Sequence, residues 1–205
     1  YVADYSWSGL RIIDVSNPTS PREVGYYVTP GAAHSVYVSG SYAYVACGPS
    51  GLRVIDISNP SSPREIGFYD TPDWAECVYV SGSYAYVADN WGGLRVIDIS
   101  NPSSPREVGF YNTSYPMWNV YVLGSYAYII GKAGLYIIDI LNPFSPKELG
   151  FYNMSGGAWN VHVSGSYAYI IYCKEMRIID VSNPSSPKVV GYFETSEQAE
   201  DVYVS

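Results

Sequence analysis

Charge is scarce in this chain. Of 205 residues only 15% are charged, 11 basic against 19 acidic, for a formal net charge of −8. No run of Lys or Arg exists, so the electrostatic footprint of a nucleic-acid partner is missing. The polybasic segment that would hold an anionic membrane surface is missing too. No apolar stretch approaches the ~20 residues of a membrane helix, so membrane insertion is not expected. Cysteine is sparse as well. Cys47, Cys77 and Cys173 are odd in number and fall at unequal places, which excludes a disulfide framework and a CxxC metal knuckle. They read as small buried or half-buried side chains. Helical periodicity is absent. No Gly-rich phosphate loop, nucleophile elbow or helix-borne metal motif occurs, so neither a cofactor nor a metal is expected. No signal peptide is recognisable, and the chain opens at Tyr1 in mid-repeat, as a processed or excised piece would.

What is present is repetition. Ile-Ile-Asp-Val-Ser-Asn-Pro at 12–18 returns with small changes at 54–60, 96–102, 137–143 and 178–184. The aspartates Asp14, Asp56, Asp98, Asp139 and Asp180 set a period of 42, 42, 41 and 41. A period of that length filled with short alternating strands is the signature of a β-propeller blade. Each unit reads as four strands. In residues 75–112 these are 75–80, 84–88, 94–99 and 106–111, separated by a Ser-Gly turn, a variable loop and a proline-rich connection that can join no ladder. The 23 tyrosines suit such half-buried pleated surfaces. The spacing predicts an all-β, five-bladed propeller with four antiparallel strands per blade, as a single domain over 1–205. Its blades are approximately 199–205 plus 1–30, then 31–72, 73–114, 115–155 and 156–196. The chain opens on a second strand and closes on a first strand, 201–204. Residues 199–204 are therefore expected to pair beside 1–4 and close the ring. The outer strands carry Arg22-Glu23, Arg64-Glu65, Arg106-Glu107 and Lys147-Glu148, but the last has Lys188-Val189-Val190. That edge is the least protected, so self-assembly is expected through the outer strand of the last blade.

The phrase Gly-Leu-Arg-Val-Ile-Asp-Ile-Ser-Asn-Pro-Ser-Ser-Pro-Arg-Glu-Ile-Gly at 51–67, with Gly82-Ser83-Tyr84-Ala85-Tyr86-Val87-Ala88, resembles the LVIVD-repeat family. The likeness runs through essentially the whole chain. It implies a propeller-forming scaffold, an extracellular or cell-surface setting, and no shared catalytic motif. The fourth unit departs from it at Tyr136 and Leu141, and the fifth at Lys174-Glu175-Met176.

Whatever repeats answers to packing, so a function is to be sought where the repeat breaks. The five aspartates read as turn formers, bonded to nearby backbone N–H groups. Arg11, Arg53, Arg95 and Arg177 read as interblade or surface partners, and His162, which replaces a repeated tyrosine, as a packing residue. The variable positions lie just before the inner strands and in the second-to-third strand loops, which project from one face. All five tryptophans fall there: Trp7, Trp74, Trp91, Trp118 and Trp159. His34, Glu76, Asn119, Asn160, Glu200 and Asp201 are interleaved with them. His34 has no second histidine at ligand spacing, so it does not read as a zinc ligand. Large amphipathic rings with directed polar groups suit stacking on sugar rings or gripping a peptide, although loop tryptophans also serve as plugs over neighbouring blades. Three readings stay open at this point. The first is a non-catalytic recognition module for carbohydrate or protein. The second is a propeller glycosidase using Glu76, Glu200, Asp201 or Asp73. The third is a structural component of a surface layer or filament.

Overall fold

The computed structural model describes residues 1–5, 9–154 and 156–204, so Trp7 lies outside the described residues. Among these the chain is all β, with nineteen strands in five antiparallel sheets and no helix. The first sheet holds β1 (Val2–Asp4), β2 (Gly9–Asp14) and β3 (Arg22–Tyr27). The second holds β4 (Ser35–Ser39), β5 (Tyr42–Ala46), β6 (Leu52–Asp56) and β7 (Arg64–Tyr69). The third holds β8 (Cys77–Ser81), β9 (Tyr84–Ala88), β10 (Leu94–Asp98) and β11 (Arg106–Tyr111). The fourth holds β12 (Met117–Leu123), β13 (Tyr126–Gly131), β14 (Gly134–Asp139) and β15 (Lys147–Asn153). The fifth holds β16 (Ala158–Ser164), β17 (Tyr167–Tyr172), β18 (Glu175–Asp180) and β19 (Lys188–Glu194). Strand order follows chain order in every sheet.

The repeated phrase works as a turn. Asp14, Asp56, Asp98, Asp139 and Asp180 each accept, through Oδ1, the backbone N–H two residues on, at 2.9 to 3.0 Å. In the first three units the other carboxylate oxygen takes the guanidinium of Arg22, Arg64 or Arg106. Those backbone and arginine hydrogen bonds hold Asp14 down to about 2. Asp56 and Asp98 are lowered for the same reasons, their own serine hydrogen bonds first. The repeated arginines, in contrast, partner within their own sheets. Arg53 lies 4.5 Å above the Phe68 ring and 2.8 Å from Asp70, and Arg95 lies 5.1 Å above Phe110. Arg11 and Arg177 stack the same way on Tyr26 and Tyr172. Of the interblade or surface partners expected for them, the direct ones lie in the same sheet, while Arg53 and Arg95 also stand 3.7 and 3.8 Å from Glu65 and Glu107, which accept from Tyr27 and Tyr69 of the preceding sheet.

The core is a series of four apolar clusters, each shared by two successive sheets. Every sheet carries the same bulge between its last two strands, at Ile12/Ile13, Val54/Ile55, Val96/Ile97, Ile137/Ile138 and Ile178/Ile179. The extra residue is Val24, Ile66, Val108, Leu149 or Val190, and the first three pack into the cluster shared with the next sheet. Beside it stands a glycine. A Cβ added at Gly25, Gly67, Gly109 or Gly150 would stand 2.0, 2.3, 2.1 or 2.1 Å from the carbonyl oxygen of Pro60, Pro102, Pro143 or Pro184 in the following unit. A tyrosine–glutamate latch adds to the contact: Tyr27 donates to Glu65 at 3.4 Å, Tyr69 to Glu107 at 3.4 Å, and Tyr111 to Glu148.

The expected closing strand is not formed. Residues 199–204 carry no strand and the first sheet has three strands rather than four. The rings of Tyr37, Tyr79, Tyr121, His162 and Tyr203 nevertheless follow one another at 4.8 to 5.1 Å. Tyr203 thus continues the line of inner strands although its segment lacks a ladder. His162 takes the packing role expected of it. Of the cysteines, Cys47 is buried and its thiol is pushed up to about 12 by burial. Cys77 is half-buried, but Cys173 is exposed, against expectation, because it sits at φ 53 in the β17–β18 turn.

The glycine contacts give a direct stability prediction. Gly109→Ala should lower the urea unfolding free energy by roughly 2–3 kcal/mol, because backbone rather than a flexible side chain must yield. Gly191→Ala should change it by less than about 0.5 kcal/mol, since its nearest neighbour there is Ile178 at 3.7 Å. Equal losses in the two variants would contradict this account.

Candidate functional site

The segments that enter the inner strands line up side by side. In the second and third units the backbone N–H groups of His34 and Glu76 donate to Ala46 and Ala88 at 2.8 and 2.9 Å. In the fourth and fifth units the inner strand runs two residues further back, with a register break between Met117/Asn119 and Ala158/Asn160. Trp118 and Trp159 are the extra residues of these bulges, and a bulge re-aims its side chain out of the ladder. His34, Glu76, Trp118, Trp159 and Glu200 therefore form one row across the sheets, with Ser35, Cys77, Asn119, Asn160 and Asp201 one step further in.

Neighbours in the row pair. His34 Nδ1 lies 2.8 Å from Glu76 Oε2, and Asn90 Nδ2 donates to Glu76 Oε1 at 3.0 Å. Tyr5 stands edge-on to the His34 ring at 4.8 Å and Trp74 at 6.2 Å. His34 Nε2 is buried without a hydrogen-bond partner. Trp118 and Trp159 stack at 4.6 Å with an interplanar angle of 12°. The change of chemistry from unit to unit is thus partly internal, because His34 is matched to Glu76 and Trp118 to Trp159 across successive sheets.

The row lines a cavity of about 490 Å³ whose wall includes Tyr5, His34, Ser35, Glu76, Cys77, Trp118, Asn119, Trp159, Asn160 and Glu200. Of the residues singled out in the sequence, His34, Glu76, Trp118, Asn119, Trp159, Asn160 and Glu200 come together here. Trp74 is adjacent through His34 and is 46% exposed; Trp91 is 59% exposed and stands apart from the cavity wall. Asp201 turns its carboxylate to the N–H of Val202 at 2.7 Å and is not part of the wall. Trp118 is half-buried, and Trp159 retains 43% exposure. Sequence reasoning passed over Tyr5, Ser35 and Cys77. The last two share a repeat column with Asn119 and Asn160, which was the available signal. Their hydroxyl and thiol lie 3.7 Å apart, tying the second and third sheets together at the rim. Trp118 also borders a second cavity, about 770 Å³, with Tyr115, Pro116, Lys132, Phe151 and Asn153 in its wall. No three His, Cys, Asp or Glu side chains among the described residues are grouped to hold a metal ion.

A buried acid supports the exposed loops behind the rim. Asp89 is fully buried between the loops that carry Trp74 and Trp91. Its Oδ2 accepts the N–H of Asp73 at 3.1 Å and lies 3.5 Å from Arg95 Nε, while Oδ1 has no partner. Burial dominates and raises its pKa to about 6, against the opposing hydrogen bonds from Thr71 and Asp73 and the charge of Arg95.

The chain belongs to the LVIVD-repeat family, whose profile matches residues 1–29, 30–71, 74–113, 117–154 and 155–195. Among solved structures it is similar to that of the computationally designed Ika8 protein, with a TM-score of 0.71 at 8% identity over 89% of this chain. At that identity the likeness concerns the fold alone. The match covers 55% of the designed chain, so this chain spans about half of its length. No protein of curated function matches the sequence.

Asp89 gives a pH prediction with a definite sign. Its folded pKa is raised above the ordinary value of 3.8, so between those values the native state binds more protons than the unfolded one. Its contribution to stability is therefore lost as pH rises from about 4 to 6. The wild type minus Asp89→Asn difference in unfolding free energy should fall by on the order of 2–3 kcal/mol across that window. A pH-independent difference in urea titrations would refute the assignment.

Proposed function

We propose that this protein is a non-catalytic recognition module that binds carbohydrate or protein through the face bearing the variable loops. The observation that carries the reading is the shared cavity. Tyr5, His34, Glu76, Trp118 and Glu200 come from different units, yet line one depression of about 490 Å³. Its wall combines aromatic surface with amides and carboxylates, the composition suited to a ligand that is partly ring or methylene and partly hydroxyl or amide. Asn119 and Asn160, one step further in than the rim, add amide donors and acceptors to the same wall. Trp159 is the anchor of choice, since it is both exposed and braced by Trp118. Glu76 accepts from both His34 and Asn90. It is thereby a fixed acceptor rather than a mobile acid, which favours binding over glycosidase chemistry.

The reading treats the five sheets as blades of a propeller whose loops face a common mouth. A ring closed within one chain would bring Gly191 against Pro18, as its counterparts meet the next proline, and Tyr203 beside Tyr37. Gly191 instead meets only Ile178, so the recognition reading rests on the shared loop face and not on closure. An extracellular or cell-surface setting is part of the proposal. It rests on the family resemblance and suits a low-charge, tyrosine-rich surface.

Binding to arrays of soluble glycans and of peptides tests the proposal. Trp159→Ala should weaken the interaction of any hit about tenfold, equivalent to ~1.4 kcal/mol, with the thermal midpoint nearly unchanged. Trp118→Ala should cost stability as well, because its ring lies against the Gly157 backbone. A Trp159→Ala protein that binds as the wild type does, or one that unfolds, would remove the main support for a recognition face.

A further inference from the structure

The second cavity, of about 770 Å³, lies on the loop face at the fourth unit, with the third sheet before it and the fifth after it. Departures from the repeat open it. Five residues join the second strand to the third between Ala46 and Leu52 and between Ala88 and Leu94, but only four do so between the matching Ile130 and Leu135. The third unit's loop, Asp89-Asn90-Trp91-Gly92-Gly93, carries a tryptophan, and its shorter counterpart is Gly131-Lys132-Ala133-Gly134. The third-strand arginine is replaced as well. Arg53 and Arg95 lie over Phe68 and Phe110 and donate to Asp70 and Asn112 at 2.8 and 3.3 Å. In the fourth unit that position is Tyr136, whose ring packs tilted against Phe151 at 4.5 Å. Asn153 corresponds to Asp70 and Asn112 but has no arginine to accept from, and its side-chain amide makes no hydrogen bond among the described residues.

The wall therefore offers three kinds of contact. Tyr115 is 45% exposed and Phe151 38%, and with the half-buried Trp118 they line it with aromatic carbon. Asn153 adds an unengaged amide. Lys132 is exposed and forms no ion pair among the described residues, and no carboxylate stands in the wall beside it. The first cavity is the reverse, with Glu76 and Glu200 in its wall and neither Lys nor Arg. Trp118 borders both. Two depressions on one face thus carry charge of opposite sign, in a protein of net charge −8.

We propose, resting on the recognition reading, that the cavity of the fourth unit is a subsite for an acidic sugar, a pyranose that bears a carboxylate, such as a hexuronate unit of a polysaccharide. The C–H faces of the ring lie on Tyr115, Phe151 and Trp118. The hydroxyls exchange hydrogen bonds with the Asn153 amide, which is both donor and acceptor. The carboxylate meets the Lys132 ammonium in a charge-assisted contact. One flexible lysine is a compact single charge and matches a carboxylate, whereas a phosphate dianion would be left half-neutralised. An acidic peptide has the charge but no ring face for the aromatic wall. An exposed ion pair contributes little affinity by itself. The aromatic wall accordingly supplies most of the binding, and Lys132 supplies the choice of acid over neutral sugar.

Calorimetric titration of the full chain separates these contributions. The probes are the trimers of galacturonate, glucuronate and mannuronate, their methyl esters, and triglutamate. At least one uronate trimer should bind, more weakly as salt is added, and its ester about fivefold more weakly. Lys132→Gln should bring the acid down to the affinity of the ester without moving the thermal midpoint, and Lys132→Arg should retain the preference. Tyr115→Ala should weaken acid and ester alike. Backbone amide shifts on titration should centre on Lys132 and Ala133. Trp159 is outside this wall, so Trp159→Ala should leave the preference for acid over ester unchanged. Equal affinity for acid and ester would overturn the assignment, as would a Lys132→Gln protein that keeps the preference or triglutamate bound as tightly as the sugars. Neutral glycans that bind through Trp159 while no uronate trimer binds at millimolar concentration would overturn the subsite and leave the recognition face standing.

Discussion

The structure depends on the close approach of a glycine in each fourth strand to a proline carbonyl of the following unit. An added Cβ would stand no more than 2.3 Å from that oxygen at four successive junctions, so only glycine permits the spacing. The approach brings the bulge residue and the third-strand apolar side chains into the next sheet, where each of the four core clusters forms. A single repeat unit cannot bury its apolar faces alone. Stacked in this way, the second, third and fourth are buried on both faces. The stability of such an array is carried by neighbouring pairs rather than by one central core.

A nearest-neighbour architecture leaves its two ends unlike its middle. The side chains that are apolar for the sake of an interface remain apolar where no interface is made. Val15, Val190 and Phe193 are exposed for that reason and for no local one. The same logic shapes the loop face. His34 is matched to Glu76 and Trp118 to Trp159 across successive sheets, so part of the chemical variety at the rim is packing between neighbours. What remains exposed, Trp159 above all, is left over for a ligand. Asp89 shows the cost of building such loops: a buried carboxylate with one unpartnered oxygen, held by Arg95 and the N–H of Asp73, positions the exposed segments around Trp74 and Trp91.

Much of this was legible in the residues. The period of the Asp-x-Ser-Asn-Pro phrase gave the units, because an aspartate that must accept an N–H two residues on cannot drift in register. Tyr-Ala-Tyr-Val-Ala gave the second strands by simple alternation. The row of rim positions was found by aligning units on a buried valine, which recovered His34, Glu76, Trp118, Asn119, Trp159, Asn160 and Glu200. Ser35 and Cys77 were in the same column and were passed over because small side chains carry little chemical signal.

The sequence by itself determined the local and repeated features: strand spacing, the aspartate turns, the glycines and prolines that meet at each junction, and the family to which the chain belongs. These depend on interactions within a few residues or within one period, so they recur and can be counted. Tertiary structure decided what depends on which sheets are neighbours. It set Arg11, Arg53 and Arg95 over the aromatic rings directly opposite them on the next strand, a pairing that the bulged register of each sheet decides. It left 199–204 without a ladder although the strand count provided one, because pairing requires two edges to meet in space. It also left the first and last faces uncovered: burial belongs to a residue and its surroundings together, and identical residues differ in it when one has a following sheet and the other does not.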